Sequence, residues 1–170
     1  RMIFSSIMPR GGPLSGGTEV VVHGSNLPTS STSGLLACKF GRSNDPTRGR
    51  VISSTSISCV SPASSSPANE TLMISLDGTH FVSTALVFRY VASPEIHSIS
   101  PNTVSVTGDE KVHLRGTGFV KIWQDSDIRC RFGSRSVDND DVVANWISDT
   151  HISCRAPIMR SGPVNVYVSL

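Results

Sequence analysis

The side chains with the most chemistry to offer are four cysteines, Cys38, Cys59, Cys130 and Cys154. Four thiols permit three disulfide pairings. They also permit four buried free thiols, because cysteine packs as a small hydrophobe. Metal binding fits the spacing poorly. There is no C-x-x-C pair, and the one histidine near a cysteine is His151, three residues before Cys154.

Other candidates are weaker. Asn69-Glu70-Thr71 is the only N-x-[ST] tripeptide and lies after the Ser64-Ser65-Ser66-Pro67 loop, where a glycan could face solvent. The histidines His23, His80, His97, His113 and His151 do not converge in sequence on a nucleophile or carboxylate pair. No G-x-S-x-G, G-x-x-x-x-G-K or H-E-x-x-H occurs, so no enzyme class is indicated and no cofactor is implied. Asp138-Asn139-Asp140-Asp141 invites a calcium reading, but Val142 occupies the third ligand position and the loop glycine is missing; an acidic surface loop is expected instead. Arg129 and Arg131 flank Cys130, so strand alternation puts both opposite the cysteine, toward solvent, where they could contact an anion or a partner. Arg48 and Arg50 form a similar pair. Trp123 and Trp146 are read as core residues in preference to binding hot spots.

These residues sit in a chain of 170 residues, 38% hydrophobic and only 16% charged. That charged share is below the usual ~25%, and serine, threonine, glycine and proline make up the difference. No stretch approaches the roughly 20 apolar residues of a membrane helix, so no membrane insertion is expected of this segment. The chain opens at Arg1 without a charged and then apolar leader; we read it as an excised or processed fragment, which leaves secretion open. Net charge is +2, with seven basic and four acidic residues up to Ala92 and eight and nine after it. A nucleic-acid module would carry a larger basic excess, which argues against such a partner.

An internal repeat organises the whole. Ile7-Met8-Pro9 returns as Ile99-Ser100-Pro101, and Val20, Val22 and Gly24 as Val112, Leu114 and Gly116. Cys38, Phe40 and Gly41 return as Cys130, Phe132 and Gly133, always 92 residues on. Ile57-Ser58-Cys59 returns as Ile152-Ser153-Cys154 at an offset of 95, so the second copy holds an insertion of three. A period of this length suits a small autonomous domain and exceeds a solenoid unit. Two tandem domains are expected, 1–92 and 93–170. The short proline-bearing link Val91-Ala92-Ser93-Pro94 implies a fairly fixed angle between them. Repeat symmetry selects Cys38–Cys59 and Cys130–Cys154 among the three pairings. Each bridge would contribute about 3 kcal/mol and imply an oxidising compartment.

The elements that carry these residues are strands. Thr18–His23, Leu72–Leu76 and Val164–Val168 are rich in β-branched residues. Gly11-Gly12-Pro13, Gly16-Gly17, Asp77-Gly78, Gly108-Asp109 and Gly116-Thr117-Gly118 read as loops and turns. Only a single helical turn is suggested, within 122–128. Phe40 and Phe132 lie two residues from a cysteine and share its inward face. Pro9, Pro62, Pro101 and Pro157 end strands, having no N–H for a ladder. Short strands with turns between them indicate an all-β fold of two immunoglobulin-like sandwiches. Leu86-Val87-Phe88-Arg89-Tyr90 has no counterpart after Leu170, so the second sandwich is expected to lack its last strand. That open edge could recruit a strand.

In this order the motifs resemble the IPT/TIG family, immunoglobulin-like, E-set-like domains of plexins, related receptor tyrosine kinases and some transcription factors. The first copy matches through Gly12-Pro13, Gly16-Gly17-Thr18, Cys38-Lys39-Phe40-Gly41, Ile57–Pro62 and Phe88-Arg89-Tyr90. The second matches through Ile99-Ser100-Pro101, Cys130–Gly133 and Ile152–Pro157, with Gly108-Asp109 in place of the double glycine. The resemblance implies a non-catalytic interaction, adhesion or receptor-stalk module outside the cell or at its surface, with protein partners and neighbouring domains of its own chain. Two other classes remain. An intracellular scaffold or transcription-factor module would have reduced cysteines and no glycan. An accessory domain of a carbohydrate-processing enzyme would have its catalytic residues elsewhere.

Overall fold

The computed structural model describes residues 2–29, 35–41, 45–122, 128–133 and 141–170. Trp123, Asp138, Asn139, Asp140 and most of the suggested helical turn lie outside them. Every regular element among the described residues is a strand, as expected of an all-β chain. The chain divides into two compact units, Arg1–Ala92 and Ser93–Leu170.

The first unit contains β1 (Ile3–Met8), β2 (Gly11–Pro13), β3 (Glu19–Ser25), β4 (Ala37–Phe40), β5 (Thr47–Arg48), β6 (Arg50–Ser53), β7 (Ser56–Val60), β8 (Ala68–Ser75) and β9 (Val82–Val91). They form two sheets, β1-β3-β7-β6 and β2-β9-β8-β4-β5. Alternation decides what lies between them. Val20 and Val22 of β3, Ile57 and Cys59 of β7, Leu72 and Ile74 of β8, and Phe88 of β9 are all fully buried. Phe40, Phe88 and Tyr90 form an edge-to-face cluster, with Phe88 5.1 Å from Phe40 and 5.0 Å from Tyr90. Such geometry suits the ring quadrupoles.

Two local readings change. Gly11-Gly12-Pro13, read as loop, is the short strand β2, which pairs in parallel with Arg89–Val91. Gly12 permits this, because a Cβ there would run into the Thr18 hydroxyl and the Phe88 ring. Pro13 is tolerated because β2 is an edge strand. The strand read as Leu72–Leu76 begins earlier, at Ala68, and stops at Ser75. It stops because the Asp77 carboxylate accepts hydrogen bonds from the Ser75 hydroxyl and from the backbone N–H groups of Thr79 and His80.

The second unit contains β10 (Glu95–Ser100), β11 (Lys111–Thr117), β12 (Arg129–Phe132), β13 (Val142–Val143), β14 (Asn145–Ser148), β15 (His151–Arg155) and β16 (Val166–Ser169). Its sheets are β10-β11-β15-β14 and β13-β12-β16. The register repeats that of the first unit. Val20 pairs with Cys59 and Val112 with Cys154; Val22 pairs with Ile57 and Leu114 with Ile152. Each first strand is bulged at the same place, Phe4/Ser6 and Ile96/Ser98. Gly24 and Gly116 face these strands, and a Cβ at either would strike the carbonyl oxygen of Ile3 or Glu95. The double-glycine turn survives its substitution: Gly108 and Asp109 have φ of 77° and 66°, as Gly16 and Gly17 have 72° and 79°. Aspartate is among the few side chains that tolerate this left-handed conformation.

Among the described residues β16 pairs with β12 on one side and with no strand on the other, whereas β8 lies between β4 and β9. A cleft of about 490 Å³ opens in the second unit, lined among others by Ile99, Val112, Phe132, Met159 and Val166. Ile99, Val112 and Phe132 correspond in the repeat to Ile7, Val20 and Phe40, which pack in one core with Phe88 and Tyr90.

Candidate functional site

The cysteines join sheet to sheet. Cys38 on β4 is bonded to Cys59 on β7, with Cα atoms 5.9 Å apart, and Cys130 on β12 to Cys154 on β15 at 6.4 Å. All four are buried in the cores of their units. This burial suits cross-links and gives no exposed thiolate for chemistry. Among the described residues no group of three or more His, Cys, Asp or Glu side chains could hold a metal ion. A further tie in the first unit joins β9 to the loop after β7: the Tyr90 hydroxyl donates to the Pro62 carbonyl at 2.9 Å. Burial first, then the Glu70 charge, pushes its pKa to about 12.

Asn69 lies on β8 and is exposed, opposite Arg89 of β9. It shares its face with Thr71, while Leu72 and Ile74 point inward. The sequon therefore starts a strand, with the acceptor amide on the outer side of the sheet.

The two arginines around Cys130 differ. Arg129 is exposed. Arg131 is not the solvated cation read from alternation. Its Nε and Nη2 donate to the two carboxylate oxygens of Asp141 at 2.6 and 2.8 Å, and only 28% of its side chain is exposed. This bidentate bond raises its already high pKa. Asp141, read as part of an acidic loop, is thus half of a structural ion pair. Trp146 also departs from the core role assigned to it. It is 41% exposed on the edge strand β14, and its indole N–H donates to the Phe119 carbonyl at 2.7 Å.

In sequence the histidines converge on no nucleophile or carboxylate pair. Cross-strand register brings two of them together: His113 Nδ1 lies 3.0 Å from His151 Nε2, with Arg115 directly opposite His151. One ring nitrogen donates and the other accepts, so both rings cannot be cationic and keep this bond. Desolvation, and then the charges of Arg115 and His113, lower the His151 pKa. The folded state therefore binds this proton less readily than the unfolded chain does. Stability from this source is complete above the ordinary histidine pKa, near 6.5, and is lost as pH falls through the folded value. The second unit should melt at a lower temperature at pH 5 than at pH 7.5. The drop should be smaller in His151→Ser, which takes the residue of the first unit, Ser56. Calorimetry of both proteins at the two pH values measures it, and equal drops would exclude the histidine as its source.

The family model described as IPT/TIG domain matches residues 2–90 and 94–170. Human Plexin-A4 is 28% identical over 162 residues, covering 95% of this chain, and human Plexin-A2 is 31% identical over 158 residues, covering 92%. The chain spans 8% of the length of each. Among solved structures, the full extracellular region of Plexin A4 aligns with a TM-score of 0.60 at 25% identity, over 95% of this chain and 13% of that one.

Proposed function

The chain belongs to the IPT/TIG domain family, and from that premise we propose that it is a non-catalytic stalk and interaction module in the extracellular part of a longer receptor of the plexin kind. The observation that carries this reading is the pair of buried inter-sheet disulfides, one in each unit. They fit an oxidising compartment and a part whose task is to hold its shape. Asn69 is the glycan acceptor, projecting from the outer face of β8. Protein contacts fall on sheet edges, and among the described residues the cleft beside β16 is one such place. The first unit shows what suits such a place: a strand with aromatic side chains at alternate positions, as Phe88 and Tyr90 stand on β9. A neighbouring segment of the same polypeptide is the natural supplier.

The test is peptide mapping of protein from its native source, alkylated before denaturation and again after reduction. Linked peptides Cys38–Cys59 and Cys130–Cys154, with glycan on Asn69, are the expected result. Four thiols alkylated without reduction in freshly isolated protein would overturn the extracellular reading in favour of an intracellular scaffold.

A further inference from the structure

The outer face of the central strand pair has changed its chemistry between the two units. In the first unit Glu19, Val21 and His23 of β3 stand opposite Val60, Ser58 and Ser56 of β7. Glu19 accepts a hydrogen bond from the Ser58 hydroxyl at 2.6 Å and lies 3.9 Å from Arg50. At the corresponding positions of the second unit, Lys111, His113 and Arg115 of β11 stand opposite Arg155, Ser153 and His151 of β15. A carboxylate has become an ammonium, and an aliphatic side chain has become a guanidinium.

The substitutions place one pair of like charges in register, Lys111 opposite Arg155, and put Arg115 opposite His151, which desolvation and then the neighbouring charge drive toward its neutral form. Directly opposed like charges destabilise a sheet, so the pattern works against the fold that carries it. Little relieves it. Asp109 lies 2.8 Å from Arg155, at one end of the array. Lys111 and Arg115 are exposed and take part in no ion pair among the described residues. The flanking strands supply Ser98 and Ser100 on β10 and Asn145 and Ser148 on β14, neutral groups that hydrogen-bond. At about 3.4 Å per residue, the basic groups line a strip roughly 14 Å long.

We propose that this face of the second unit binds a linear sulfated polysaccharide of the glycosaminoglycan type. Its sulfates sit on Lys111, Arg115 and Arg155, and its hydroxyls on the serine and asparagine side chains beside them. Apart from the two half-buried imidazoles of His113 and His151, the strip holds no apolar or aromatic side chain at these positions. A protein partner would be expected to find an apolar, charge-depleted centre. A single-stranded nucleic acid would need exposed aromatic platforms for its bases, and the two imidazoles here are half-buried and hydrogen-bonded to each other. A polysaccharide needs neither, and a cationic strip bordered by hydroxyl and amide groups meets both its charge and its hydrogen bonding.

The experiment is calorimetric titration of the 170-residue chain with a size-defined heparin oligosaccharide at physiological salt. Binding is expected. Lys111→Glu/Arg115→His, which installs the first unit's residues, should weaken it by at least about twenty-fivefold, roughly fivefold for each of the two lost cations, with the new carboxylate repelling the sulfates in addition. Lys111→Ala, at an exposed position, should weaken it about fivefold and serves if the double variant does not fold. Arg48→Glu in the first unit should leave affinity unchanged. The desulfated oligosaccharide should not bind, and polyglutamate of equal charge should bind at least about tenfold more weakly. The proposal is overturned if the parent does not bind, if the two β11 variants bind as the parent does, if Arg48→Glu weakens binding as much as they do, or if polyglutamate matches heparin.

Discussion

Phe88→Ala should destabilise the first unit by about 3–5 kcal/mol, the usual range for deleting a buried aromatic ring. The ring is fully buried and packs edge-to-face against both Phe40 and Tyr90. The wall cannot easily close over the space, because β2 lies against the ring at Gly12, which has no side chain to advance. Such a loss is a large fraction of the 5–15 kcal/mol by which domains are stable. The second unit has a separate core and should keep its own transition. Both tryptophans belong to that second half of the chain. Denaturant titration should therefore show an early transition by far-ultraviolet circular dichroism that tryptophan fluorescence does not follow. Equal shifts by the two probes would mean that the units unfold as one.

Removing a disulfide is the other large effect. Cys38→Ala/Cys59→Ala opens a bridge between residues 21 apart in sequence, and Cys130→Ala/Cys154→Ala one between residues 24 apart. In the chain-entropy account each costs about 3 kcal/mol, through the freedom regained by the unfolded chain. Replacing both partners avoids leaving a lone thiol in the core. For a unit of this size the loss corresponds to a fall in melting temperature of roughly 12–24 °C. Calorimetry should show it in the affected unit only. A fall of a degree or two would place most of the holding energy in side-chain packing.

The fold was legible because its determinants repeat. Cys38, Phe40 and Gly41 recurring as Cys130, Phe132 and Gly133 exposed the two sandwiches, and the spacing of inward residues along each strand followed. The lateral pairing was less legible. Nothing in sequence order says that His113 meets His151, 38 residues away, or that Arg115 and His151 share a cross-strand position. Arg131 illustrates the same limit. Alternation gave its side of the sheet, but its partner Asp141 comes from the far side of the insertion. Trp146 was misread because an aromatic residue in an alternating run does not reveal whether its strand is central or at an edge. The chain's net charge of +2 also concealed the strip on β11 and β15, since acidic residues elsewhere in the second half balance it.

The inter-sheet bridges have a further consequence when the chain is pulled from its ends. Tension passes across a bridge and bypasses the loop it closes. A fully extended chain spans about 3.5 Å per residue, so the first bridge withholds roughly 7 nm and the second roughly 8 nm. Even after both sandwiches have come apart, this slack stays out of the load path until the sulfur–sulfur bonds are reduced. Each unit is thereby a spring with a fixed stop, whose reach under load is set by the redox state of its surroundings.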